Sequence, residues 1–102
     1  MPPKLLPVSL SREAQADADA AVDWYTSKGA FVAAEDFADE IDRALGLPGQ
    51  FSELGENGAH NTRSLPLHSF PYSLIYRQQV DVIRIIAIAH HSRRPGYWVG
   101  RR

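Results

Sequence analysis

The fold is decided by the stretch DVIRIIAIAH, which spans Asp81–His90. Successive residues of a strand point to opposite faces of a sheet, so both faces of this stretch can be assigned from the sequence. One face would carry Ile83, Ile85, Ala87 and Ala89, and the other Val82, Arg84, Ile86, Ile88 and His90. A strand that is apolar on both faces is typical of the centre of a sheet that is covered on both sides. We therefore expect a central strand over residues 81–90.

Two further strands are expected just before this one. Residues 70–77 alternate, with Tyr72, Leu74 and Tyr76 on one face and Ser73, Ile75 and Arg77 on the other. Residues 62–67 form another candidate strand, although Pro66 lies within it, and residues 50–61 resemble a loop. Because the turns between the three strands are short, neighbouring strands should be antiparallel.

Toward the N-terminus the apolar residues recur at helical spacing. Ser11 is a suitable N-cap for a helix over residues 12–27, and Lys28-Gly29 ends it. A second helix over residues 30–46 is stopped by Gly46, Pro48 and Gly49. So short a loop between them predicts an antiparallel helical hairpin. Alternating residues 5–10 predict a short strand before the hairpin.

These elements predict one α+β domain over residues 1–102, ordered as a strand, a helical hairpin and a three-stranded antiparallel meander. The helices would pack on one face of the sheet. The opposite face of the central strand needs another cover, either the tail of residues 91–102 or a partner chain.

The composition excludes several classes of protein. The chain has 102 residues and no cysteine, which suits one domain and excludes disulfide frameworks and thiolate metal sites. Its most apolar stretch, Val82–Ala89, is interrupted by Arg84 and is far shorter than the roughly 20 residues of a membrane helix. The N-terminus lacks the long apolar run of a signal peptide. We therefore expect a cytoplasmic domain without membrane contact.

Charge is distributed unevenly along the chain. Up to residue 60 four bases accompany eleven acids, a net charge of −7, whereas the later residues carry seven arginines and Asp81 alone, a net charge of +6. One end of the molecule should then attract an anionic partner. The alternative is a pair of solvated faces that attract each other within the fold.

Three segments together resemble the RelE/ParE toxins of type II toxin–antitoxin systems. They are Arg63–Leu65 followed by Phe70–Tyr76, the strand Val82–His90, and the ending Arg93–Arg101. The ending has the form His-x-x-Arg-x-Pro-x-Tyr-Trp, beginning at His90. The resemblance covers nearly the whole chain from Leu6 and implies the fold of that family.

The family has two branches with different targets. RelE-like members are ribosome-dependent ribonucleases, whereas ParE-like members are known as inhibitors of DNA gyrase. RNA cleavage needs a group for the 2′-hydroxyl proton, a proton donor for the leaving oxygen and cations for the developing charge. The residue types suited to these roles stand at Arg63, Arg77, Arg84, His90, His91 and Tyr97.

Two features bring the chain closer to the ParE branch. The ribonuclease branch usually has a lysine-rich or acidic catalytic position ahead of the hairpin, whereas the loop Glu53–Gly58 holds no lysine. That branch also tends to carry an arginine at about the place of Ser73. The resemblance therefore implies a ParE-like toxin that is not an enzyme, inhibits DNA gyrase and needs no cofactor. The alternatives are a RelE-like mRNA endonuclease using Arg63, Arg84 and His90 or His91, and an inactive interaction module.

The resemblance also implies a cognate antitoxin, whose C-terminal segment would wrap the toxin and which would make any contact with DNA. Candidate residues for binding the antitoxin or the target are Arg63, Arg77, Arg84, His90, Arg93, Arg94, Tyr97 and Trp98.

Most of these residues also have structural alternatives. Arg63 would pair with Glu53 or Glu56, Arg84 would find a partner in a partly buried site, and Tyr97 and Trp98 would anchor the tail. His90 and His91 are adjacent and point to opposite faces of a strand, so they make a poor chelate and we expect no metal.

Overall fold

The computed structural model describes residues 5–102. The prediction that the N-terminus is not a signal peptide rests partly on residues 1–4, which lie outside the described residues. The elements are β1 (Val8–Leu10), α1 (Arg12–Ser27), α2 (Phe31–Leu45), α3 (Leu47–Gln50), β2 (Glu56–Asn57), β3 (Arg63–Pro66), β4 (Tyr72–Gln78) and β5 (Ile83–His90). They form one sheet in the order β1-β5-β4-β3-β2. Strand β1 is parallel to β5, and the other neighbours are antiparallel. The predicted α+β arrangement is confirmed.

Helices α1 and α2 form the predicted hairpin on one face of the sheet. Ser11 begins α1, since its hydroxyl oxygen accepts a hydrogen bond of 3.0 Å from the backbone nitrogen of Ala14. The small buried face of α1 carries Ala14, Ala18 and Ala21. This face lets α2 approach closely, and Phe37 of α2 is fully buried in the shared core.

The segment after α2 differs from the expected helix stop and loop. The chain makes one more helical turn, α3, with Pro48 in its first turn, where a missing N–H costs nothing. Gly49 of this turn lies against the N-terminal segment and accepts a 2.9 Å hydrogen bond from the backbone nitrogen of Leu6. The expected loop also contains β2, which extends the sheet by one short edge strand.

The two faces of β5 do not follow the strict alternation expected from the sequence. The register pairs Tyr76 with Ile85 but Ile75 with Ala87, which leaves Ile86 as an extra residue on β5. Such a β-bulge shifts the alternation by one position beyond it.

The bulge redistributes the apolar residues of β5 between two clusters. Ile83, Ile85 and Ile88 lie in the core beneath the helices, whereas Ile86, Ala87 and Ala89 lie with Ile75 on the opposite face. The prediction that Ala87 and Ala89 share a face with Ile83 was therefore wrong.

The C-terminal tail covers this second cluster. Tyr97 and Trp98 pack against the apolar side chains on the face of the sheet that carries no helix, hereafter the helix-free face. The alternative of a tail anchored by these two aromatics is the one that the structure shows. The tail therefore provides the second cover that a doubly apolar strand requires.

Candidate functional site

The tail also crosses the open edge of β5. Strand β1 pairs with β5 only as far as Ile85, so the backbone groups beyond it have no neighbouring strand on that side. The backbone nitrogen of Ile88 donates instead to Asp17 Oδ2 over 3.0 Å, and Arg101 Nη1 donates to the carbonyl oxygen of Ile86 over 3.2 Å. Two side chains thus satisfy an edge that would otherwise present unpaired backbone groups.

Asp17 and Arg101 are also bound to each other. Their closest atoms, Asp17 Oδ2 and Arg101 Nη1, are 2.6 Å apart, and both side chains are mostly buried. The hydrogen bond to Asp17 raises the pKa of Arg101. This ion pair therefore holds the end of the tail on α1.

A cavity of about 440 Å³ opens between α1, the end of β5 and the tail. We call it the tail cavity, and its walls are formed by Asp17, Ala20, Ala21, Trp24, Tyr25, Pro71, Tyr72, Ile88, His90, Ser92, Arg93 and Tyr97. Two small alanines and four large aromatic rings give it an apolar interior. Trp24 is 55% exposed, so this large ring is available to a partner.

Polar groups surround this apolar interior. His90 Nδ1 accepts a 3.0 Å hydrogen bond from the backbone nitrogen of Ser92. The Arg93 guanidinium lies 4.1 Å from the centroid of the Tyr97 ring. Burial raises the pKa of Tyr97, which keeps its hydroxyl neutral. The cavity thus combines apolar walls with hydrogen-bond donors, the positive charge of Arg93 and the carboxylate of Asp17, which is paired with Arg101.

Three of the residues predicted to bind a partner line the tail cavity, namely His90, Arg93 and Tyr97. Trp98 lies on the helix-free face, and Arg94 is exposed in the turn before Tyr97. His91 contacts Ser73, with 2.8 Å between His91 Nε2 and the Ser73 hydroxyl.

The three arginines of β3, β4 and β5 lie elsewhere. Arg63 Nη1 donates to the carbonyl oxygens of Gly55 and Glu53 over 2.8 and 3.2 Å, so its contact with Glu53 is to the backbone and the predicted pairing with a carboxylate is absent. Arg77 Nε donates to the carbonyl oxygen of His60 over 3.1 Å. Arg84 Nη1 donates to the Ser9 hydroxyl over 2.6 Å.

The fold does not bring the predicted nuclease residues together. Arg63 is opposite Tyr76 and shares the helix-covered face with it, whereas Arg84 is opposite Arg77 on the helix-free face. His90 lies against Tyr72, with 4.8 Å between ring centroids, on the helix-covered side. Arg84 and His91 are separated by nearly the whole of β5, about 20 Å at the usual rise per strand residue.

The sequence interpretation missed the contribution of α1. Neither Asp17 nor Trp24 is among the residues that the sequence predicts to bind a partner. A tryptophan beside the alanine stripe of an otherwise polar helix face was the available signal, because large exposed aromatics mark binding surfaces. The partner of Asp17 is 84 residues away in sequence, and no local pattern indicates it.

Among residues 5–102, no three side chains of the metal-binding types converge on one point. None of the helices in this part of the chain combines the length and the apolar character needed to cross a membrane.

Comparisons with known proteins agree with this architecture. No curated protein sequence gives a significant match. A solved structure described as the chromosomal ParDE TA system from P. aeruginosa has a TM-score of 0.75, is 23% identical, and is matched over 85% of this chain and 97% of that one. The family model described as the ParE toxin of type II toxin–antitoxin system, parDE, matches residues 8–95. Because that match covers most of the chain, this protein belongs to the ParE family of type II toxins.

Proposed function

We propose that this toxin arrests growth in the cytoplasm by binding and inhibiting DNA gyrase, and that it cleaves no RNA. The observation that carries the proposal is the separation of Arg63, Arg84, His90 and His91 between two faces of the sheet. General acid–base catalysis requires such groups within hydrogen-bond reach of one substrate. Membership of the ParE family also supports gyrase inhibition rather than RNA cleavage.

The toxin would be neutralised by a cognate antitoxin that occupies the tail cavity. A segment with an apolar side chain would fill the space between Ala20, Trp24 and Tyr72, and a neighbouring carboxylate would meet Arg93. Such a segment would fold on binding. Any contact with DNA would be made by the antitoxin, and the toxin would reach DNA only through it.

The target is tested by tightly controlled expression together with assays of the purified toxin. We expect growth arrest with DNA damage in cells, and loss of supercoiling by purified DNA gyrase when the toxin is added. Heat-denatured toxin is the control. Rapid cuts in messenger RNA at ribosomes, with supercoiling intact, would establish the ribonuclease alternative, whereas normal growth without any antitoxin would indicate an inactive module.

The antitoxin site is tested by filling the tail cavity. Ala20→Trp places a large ring inside the cavity, whereas the control Ala16→Trp places the same ring on an exposed part of α1. We expect the dissociation constant for the product of the neighbouring antitoxin gene to rise at least tenfold for Ala20→Trp only, while toxicity persists. Equal binding by both variants would place the antitoxin elsewhere.

A further inference from the structure

The helix-free face carries two arginines directly opposite each other. Arg77 of β4 and Arg84 of β5 are partners in the strand register. Directly opposed residues share a face, with their Cβ atoms about 5 Å apart. Ser9 of β1 lies opposite Arg84 on its other side. Arg77, Arg84 and Ser9 thus form one row across three neighbouring strands.

The fold leaves the charge of this pair without a carboxylate side chain. Within residues 5–102 neither arginine takes part in an ion pair with Asp or Glu. Arg77 donates through Nε to the backbone of His60, and Arg84 donates through Nη1 to Ser9 and through Nε to the backbone oxygen of Arg102. The two side chains thus reach in opposite directions, Arg84 toward β1 and Arg77 toward the segment before β3. Each arginine therefore keeps guanidinium N–H groups that bond to no other described residue and are available to an anionic partner.

The surroundings of the pair are suited to a protein partner. Beyond it, on the same face, lie Ile75 and Ala87 with the half-buried Trp98 above them. Arginine and large aromatics are enriched at protein–protein interfaces and among their strongest contributors to affinity. A duplex nucleic acid would instead engage on the order of 6–10 phosphates, whereas the described part of this row offers two cations.

We propose that Arg77 and Arg84 bind the carboxylates of an acidic segment of the toxin's protein target. The guanidinium fork pairs with a carboxylate through two parallel hydrogen bonds, so adjacent arginines suit two nearby Asp or Glu side chains. The inference rests on the proposed function, in which that target is DNA gyrase. The pair is on the helix-free face and neither arginine lines the tail cavity, so the two arginines lie outside the site proposed for the antitoxin.

The test compares inhibition of purified DNA gyrase by the wild-type toxin, Arg77→Thr, Arg84→Thr and the double variant. Threonine is a good strand residue, and a Thr–Thr pair is favourable across antiparallel strands. Arg12→Glu is the control, because Arg12 is an exposed arginine at the start of α1. We expect half-inhibition to require at least ten times more of the double variant than of the wild-type toxin, with a melting temperature close to that of the wild type.

Other outcomes would refute either the role of the arginine pair or the proposed function. Undiminished inhibition by the double variant would refute the role of the arginine pair and leave gyrase inhibition intact, whereas failure of the wild-type toxin to inhibit would refute the proposed function itself. A lowered melting temperature that accompanies lost inhibition would assign the pair a structural role. Binding of a labelled single-stranded RNA that disappears in the double variant would identify a nucleic-acid site.

Discussion

At the scale of single residues, Glu40 is the buried carboxylate that ties α2 to the turn between β3 and β4. It accepts two hydrogen bonds from Arg43, of 2.7 and 2.8 Å, and another from the backbone nitrogen of His68. The hydrogen bond from Arg43 is the main cause that lowers the pKa of Glu40 to about 2, against the opposing effect of burial. The charged form is therefore the one that the folded state requires.

Replacing this carboxylate should give a pH-dependent loss of stability. Glu40→Gln removes charge-assisted hydrogen bonds and should lower the free energy of unfolding by about 2 kcal/mol at pH 7. Because the folded pKa lies below the ordinary value of 4.5, the contribution of Glu40 is complete above that value and disappears as the pH falls through about 2. Urea unfolding of both proteins across this range measures it. Glu35→Gln is the control, since Glu35 is exposed on the same helix, and a difference that stays constant down to pH 2 would contradict the assignment.

Asp17 acts at the same scale on the edge of β5. Asp17→Ala leaves the backbone N–H of Ile88 and the guanidinium of Arg101 without their partner, and should cost about 3 kcal/mol. Hydrogen exchange at the Ile88 amide should accelerate far more than exchange at Ile85, which lies deeper in the sheet. Asp23→Ala, on an exposed part of α1, should change neither amide. Unchanged protection of Ile88 would mean that Asp17 does not cap the edge in solution.

At the scale of elements, α3 depends on close backbone contact with the N-terminal segment. A Cβ atom at Gly49 would lie 2.5 Å from the carbonyl oxygen of Leu6, far inside van der Waals contact. Gly49→Ala should therefore lower the free energy of unfolding by about 2 kcal/mol, as overpacking does. Gly46→Ala is the matched control, because its φ is −78° and the nearest atom to its Cβ is 3.7 Å away. Thermal melting should give a lower melting temperature for Gly49→Ala than for Gly46→Ala. Equal melting temperatures would show that α3 moves to accommodate the methyl group without loss of stability.

The elements also mark how far the sequence allowed prediction. The helical hairpin and the three main strands follow from apolar periodicity and capping residues such as Ser11, which are local signals. The bulge at Ile86 lies in a run of five apolar residues, where any register buries apolar side chains, so the pattern cannot specify it. Local patterns also do not predict that β1 pairs with β5, because the two strands are far apart in the sequence. The open edge of β5, whose backbone groups bind Asp17 and Arg101, therefore could not be predicted either.

In the whole molecule, part of the uneven charge of the sequence is neutralised by an ion pair within the fold. Arg101 pairs with Asp17 of the acidic part, which is the internal attraction considered as an alternative. Arg93 and Arg94 remain exposed beside the tail cavity, and Arg77 and Arg84 remain on the helix-free face. The molecule thus keeps two separate positive regions, one for each proposed partner.

This distribution predicts different kinetic effects for two neighbouring arginines. Arg93 stacks on Tyr97 in the wall of the tail cavity, whereas Arg94 is exposed and does not line it. Both Arg93→Glu and Arg94→Glu should slow association with the antitoxin severalfold at low salt, because exposed charges steer an acidic partner, and the difference should vanish at about 0.5 M salt. Only Arg93→Glu should also speed dissociation, since it removes a contact of the bound state.

Stopped-flow or surface-binding kinetics over a range of salt concentrations distinguish these effects. Arg12→Glu, which makes the same charge change at the exposed first residue of α1 and outside the cavity wall, should leave both rate constants near the wild-type values. Faster dissociation of the Arg94→Glu complex would mean that the antitoxin extends past the tail cavity onto the turn before Tyr97. Association rate constants that are independent of salt in every variant would mean that contact with the apolar walls around Trp24, rather than attraction by the arginines, determines the association rate.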